Sequence, residues 1–195
     1  MHSSTTWMSF DQLREMVLEK LQGLDARLTY HSVDHTIDVL TQVERIAMEE
    51  ELYDEREIYL LKIAALYHDT GFLFTYSHHE EKSCEIFLKD SRYFDLNPEE
   101  VQKIVELIMV TKIPQNPQNL MEKIICDADL DYLGRNDFLT IGDSLRREFL
   151  EFGIVTSNEE WEKLQLKFLN QHQYHTNASI RQREPFKREH LRALT

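Results

Sequence analysis

The chain has 195 residues, enough for one core that buries roughly 70 % of the surface the unfolded chain would expose. Its 22 Lys+Arg against 35 Asp+Glu leave a net charge of −13, a field that repels nucleic-acid backbones and anionic membranes. Cys84 and Cys126 lie far apart without CxxC spacing, which argues against a disulfide framework or a zinc ribbon and for two buried thiols in a reducing cytoplasm.

The N-terminal stretch MHSSTTWMSFDQLREMV lacks the basic and apolar regions of a signal peptide, and no run of about 18 apolar residues occurs, so a soluble, cytoplasmic protein is expected. With 5 Gly and 4 Pro, and apolar residues recurring at three and four positions, the chain reads as all-α without a convincing strand. Phe10, Leu13, Val17 and Leu21 mark a first helix, and Val33, Ile37, Leu40, Val43 and Ile46 the buried stripe of a second. Asp54 and Glu57 form a capping-box pattern ahead of a third helix through Ile58, Leu61, Ala65 and His68, with Gly71 as its stop. Asn97-Pro98-Glu99-Glu100 supplies a cap, a first-turn proline and dipole-compensating carboxylates for another helix, which ends before the loop 111–119. Further helices are expected over about 120–133 and 136–152. Another carries Trp161, Leu164 and Phe168 behind a Ser157/Glu160 cap, and a final mixed-charge helix follows 176.

Three stretches carry chemistry. In YHSVDHTIDVL (30–40), His31 and His35 stand one helical turn apart on one face, which either presents imidazole to an ion or caps and solvates a helix start. In AALYHDTGF (64–72), His68 and Asp69 follow an apolar run, where burying an imidazole and a carboxylate side by side is costly without a metal or a partner. In KIICDADLDYLGR (123–135), Asp127, Asp129 and Asp131 interrupt an apolar helix, and their like charges repel unless a cation or solvent intervenes. Imidazole and carboxylate donors from at least three helices suit Mn, Fe, Co, Ni or Zn, and Mg when water completes the shell.

The order of these motifs resembles the H…HD…D signature of the HD-domain metal-dependent phosphohydrolases, over residues 30–135. The resemblance implies a single HD-domain helical bundle over 1–195, with its core at about 30–135, an N-terminal helix and a C-terminal helical extension. It implies His35, His68, Asp69 and Asp129 as ligands of a divalent metal. Asp129 is preferred because Ala128 precedes it as in the family's usual string, with Asp127 as second choice. His79 with Ser83 fits the segment that gives two-metal members a further histidine, His78 being its neighbour, but Thr111 stands where another histidine is expected, so one firm metal is expected. His31 resembles the proton donor of some phosphodiesterase members, or is a helix-cap histidine.

Lys112 can meet a substrate phosphate or compensate a helix dipole at the surface. The tail, with His172, Tyr174, His175, Arg181, Arg183, Lys187 and Arg188, can close over an anionic substrate or lie as a solvated charged helix. The resemblance implies hydrolysis of a phosphoester in a small, nucleotide-like substrate, by a monomer or a homodimer. Asp69 would activate water and His31 or His79 protonate the leaving oxygen. A metal- or nucleotide-binding sensor and, ranked last, a di-iron oxygenase are the competing readings. No P-loop, GxGxxG or GxSxG occurs.

Overall fold

A computed structural model describes residues 7–194, and among them there are helices and turns but no strand. Ser9 opens α1 (Phe10–Leu21) with a full capping box to Gln12. Helix α2 (Val33–Glu49) starts at Ser32, whose hydroxyl accepts from the His35 amide, and α3 (Glu55–Tyr67) starts at Asp54, which accepts from the Arg56 and Glu57 amides. Glu57 does not complete the expected box, because its carboxylate takes a hydrogen bond from Lys103 Nζ at 3.2 Å. Helix α4 (His79–Asp90) leads to α5 (Pro98–Met109), where Asn97 and Glu100 do form both halves of a box. Helix α6 (Leu120–Asp129) completes the main bundle, in which α2 packs on α3 and α6, and α3 on α5. The apolar stripes meet in one core that includes Leu13, Val43, Leu61, Phe87, Ile104 and Ile124.

Beyond it come α7 (Phe138–Glu151), α8 (Asn158–Gln171), α9 (Asn177–Gln182) and α10 (Glu184–Leu194). A second cluster around Tyr30, Leu133, Phe138, Leu169 and Tyr174 ties α7 and α8 to the end of α6. Ser157 caps α8 as expected, but Glu160 reaches Thr156 instead of its cap residue.

Three boundaries differ from the sequence reading. Helix α3 ends at Tyr67, and Gly71 lies inside a following 3-10 turn over Thr70–Leu73. Helix α6 ends at Asp129, and a separate turn, Asp131–Gly134, carries the chain on. That break sends the fully buried Asp131 carboxylate to Arg45 and Arg183, at 2.7 and 2.8 Å. The tail is two helices, since Pro185 lacks the N–H that a continuous helix would use.

The tail keeps a solvated, charged outer face at Arg181 and Arg188, as one of the two readings expected, but turns other cations inward. Arg183 is held by Asp131, Lys187 is 3 % exposed and donates to the His172 carbonyl, and Arg188 pairs with Glu184. The buried Lys187 lies against the half-buried His172, whose ring is pushed down to about 3 by desolvation. Both cysteines are buried and unpaired with each other, as expected.

Candidate metal centre

The end of α3 delivers the first two groups. His68 is 1 % exposed, and its Nδ1–H donates to the Ala65 carbonyl at 2.8 Å. A carbonyl only accepts, so Nδ1 keeps the proton and Nε2 turns a lone pair outward. That lone pair faces His35 Nε2 of α2 at 3.4 Å. Asp129, from the last residue of α6, places Oδ1 at 3.2 Å from His35 Nε2 and 3.6 Å from His68 Nε2. Asp69 adds Oδ2 at 3.4 and 3.2 Å from the same two nitrogens.

Two imidazoles and two carboxylates thus converge from α2, the end of α3 and the end of α6. Burial opposes charge on His35, but the facing carboxylates of Asp129 and Asp69 outweigh it and push the ring up to about 9. The same opposition holds Asp129 down to about 2, burial raising it and the two histidines lowering it further. Asp69 Oδ2 is buried without a hydrogen-bond partner among the described residues. Two Nε2 atoms facing each other beside an orphaned carboxylate oxygen are what a cation relieves, by replacing the proton that the carboxylates otherwise draw onto the rings, and the nitrogen and oxygen donors fit a divalent transition metal. His35, His68 and Asp129 offer one donor atom each, all within 4.8 Å of one another.

The three aspartates of the DADLD stretch separate completely. Asp127, fully buried, accepts from the His175 and Thr176 amides and from the Thr176 hydroxyl at 2.6 Å, so it anchors the tail and not the centre. Asp131 goes to arginines, leaving Asp129 among the histidines.

His79, the first residue of α4, reaches Asp69 Oδ1 at 3.4 Å. Gly71 makes this approach feasible: a β-carbon there would overlap the carbonyl oxygen of His79 and lie 2.7 Å from its carbonyl carbon and 2.9 Å from its Cα. Ser83 fixes the same corner by accepting from the Gly71 amide and donating to the His68 carbonyl. Gly71→Ala is therefore expected to displace the start of α4 and cost about 1–3 kcal/mol, the range for an overpacked site, lowering the urea midpoint and the melting temperature together. An unchanged midpoint would mean that α4 shifts freely.

Thr111 is buried and donates its hydroxyl to the Ile108 carbonyl at 2.8 Å, so it offers no nitrogen and is turned back on its own helix. Lys112 is ion-paired with Glu81 at the cavity edge, and His78 is exposed beside it, 3.5 Å from Lys112 Nζ.

His31 stands just before α2, its ring 6.1 Å from that of His35 and 6.0 Å from that of His79. The sequence reading missed its partner. Glu148, from the last turn of α7, is fully buried and accepts from the Tyr30 and His31 amides at 2.9 and 3.0 Å, from His31 Nδ1, and from the Tyr76 hydroxyl at 2.9 Å. Burial would raise its carboxyl, but the His31 contact and the two amides prevail and hold it below the usual range. With Nδ1 so occupied, Nε2 is the ring nitrogen His31 has left for other work. A signal existed: Glu148 lies on the apolar stripe Ile141, Leu145, Phe149 and Phe152, where a carboxylate needs a buried partner. Phe72, also missed, packs its ring at 4.1 Å from His31 and 4.0 Å from His79.

A helical bundle that gathers a histidine from one helix, a His-Asp pair from the end of the next and an aspartate from a third defines a class of metal-binding hydrolase folds. The HD-domain family model matches residues 32–131, and the chain belongs to that family. The family's superfamily comprises metal-dependent hydrolases, and HD domains bind divalent metals. No curated protein and no solved structure matches the chain. No helix among the described residues is long and apolar enough to cross a membrane.

Proposed function

We propose that the protein is a phosphohydrolase that uses a divalent cation held by His35, His68, Asp69 and Asp129 to cleave a phosphoester in a small substrate. The convergence of two imidazole Nε2 atoms at 3.4 Å beside an orphaned Asp69 oxygen carries this reading. A cation bound there supplies Lewis acidity, making water a better nucleophile and offsetting the charge that builds on the phosphoryl oxygens. Asp69 orients the attacking water and takes its proton. His31, fixed by Glu148, donates a proton to the leaving oxygen, and His79, set by Asp69, is the alternative donor. Lys112 would give a point charge to a phosphate oxygen on exchanging its Glu81 partner.

Thr111 bears on the competing readings, because its hydroxyl is committed to Ile108 and a second metal there lacks its nitrogen ligand. One cation therefore suits this site better than the paired irons of an oxygenase. A sensor would hold the same cation without turnover.

Elemental analysis of protein expressed with Mn, Fe, Co, Ni, Zn and Mg is expected to give about one ion per chain, and chelation to lower the melting temperature, because ion binding is coupled to the folded state. The loaded protein should then hydrolyse members of a panel of aryl, alkyl and nucleoside phosphates and phosphodiesters. Full metal content with no hydrolysis by any loaded form would favour the sensor. Absence of metal would remove both readings.

A further inference from the structure

The His/Asp cluster opens into a cavity of about 570 Å³, of a size that encloses a small organic ligand. Asp69 and Asp129 bring metal donors to its lining, and His31, His79, Glu80 and Lys112 are among the other polar residues at that end. The opposite character comes from outside the family match, which ends at residue 131. Helices α7 and α8 and the turn between them contribute eight side chains: Leu145, Phe149 and Ile154, then Trp161, Leu164, Gln165, Phe168 and Leu169. Among these eight, the Gln165 amide and the Trp161 indole N–H are the polar groups. Ile113, Ile154 and Leu164 remain exposed on the lining, at 56, 48 and 36 %, so apolar surface continues outward beyond the enclosed part.

We infer that the ligand of this centre is a monomeric amphiphile: a phosphate ester whose phosphate meets the metal donors and whose aliphatic or isoprenoid chain fills the α7–α8 wall. The inference rests on the phosphohydrolase reading for its polar half. A nucleobase carries ring nitrogens and exocyclic groups that lose water on entering, and this wall returns too few partners for them. A hydrocarbon chain loses nothing polar there and gains by leaving water. The nucleotide expected from the sequence is thus the poorer fit to this lining.

The test uses the full, metal-loaded chain and n-alkyl phosphates of increasing length, beside adenosine and guanosine monophosphates. With the phosphate fixed, kcat/KM is expected to rise about fourfold per methylene, from the transfer free energy of a buried methylene, and to level once the cavity is full. A flat chain-length profile overturns the inference, as does a nucleotide that outperforms octyl phosphate. Binding of non-hydrolysable alkyl phosphonates, followed by Trp161 fluorescence with Trp161→Phe as the control, separates the two readings. Affinity that rises with chain length while no ester is cleaved keeps the ligand class and removes the hydrolase. Cleavage with a flat profile keeps the hydrolase and removes the ligand class.

Ile154→Gln and Leu164→Gln, at partly exposed positions that tolerate polarity, should each reduce the chain-length slope. An unchanged slope in both overturns the assignment of the wall. Esters are offered below their micellar concentration and, separately, in phosphatidylcholine vesicles. Turnover confined to the vesicle form would overturn the cavity-bound monomer.

Discussion

His68→Ala is expected to release the cation and lower phosphoester turnover roughly 10³-fold or more, since the ion's charge stabilisation is worth several kcal/mol in the transition state. The ring is 1 % exposed, its Nδ1 is tied to Ala65, and its Nε2 faces both His35 and Asp69, so it is held in place as a donor. Removing it costs packing at the end of α3 but relieves the crowding of donor groups. Helical content should therefore stay near wild type by circular dichroism while elemental analysis shows the loss. Asp127→Asn is the contrast. It weakens the anchor on residues 175 and 176, so it should lower the melting temperature and leave metal content unchanged. Metal retained by His68→Ala, or lost from Asp127→Asn, would reassign the donor set.

That contrast also shows how far the sequence can be read. The caps at Asp54, Asn97 and Ser157 are local signals, and the helices start where those residues stand. The His68-Asp69 pair at the end of an apolar run is likewise local, because burial of the run implies burial of the pair. The three aspartates at 127, 129 and 131 look alike in sequence. Their separate fates depend on Thr176, on His35 and on Arg45 with Arg183, and residues 49 to 94 positions away leave no periodic trace. Gly71 reads as a helix stop because glycine commonly is one. Its reason here is the backbone of His79 pressed against it, a contact between separate elements. The tail's basic residues left an anion cover and a solvated helix both open, and charge counting cannot see that Arg183 and Lys187 are consumed internally.

Glu148 lies furthest from what local pattern can show, 117 positions from His31. If it acts by holding the His31 ring, Glu148→Gln should lower turnover by about 10- to 100-fold with metal content unchanged, less than the roughly 10²- to 10⁴-fold expected when His31→Ala removes the proton donor itself. The two losses should not add: with the ring absent, Glu148→Gln should cost little more, because both changes disable one unit. The pH dependence of stability supplies a separate signature. The Glu148 carboxyl sits below its ordinary value when folded, so the unfolded chain binds the proton more readily and stability rises with pH across the interval between the two values. The contribution is complete above the unfolded value of about 4.3 and fades as the pH falls through the folded one. Wild type should therefore lose its stability advantage over Glu148→Gln on acidification below about pH 4, measured by urea midpoints at fixed ionic strength. A Glu148→Gln penalty on turnover that is the same with and without His31 would mean the carboxylate supports the fold of α7 against α2 and does not act through the imidazole.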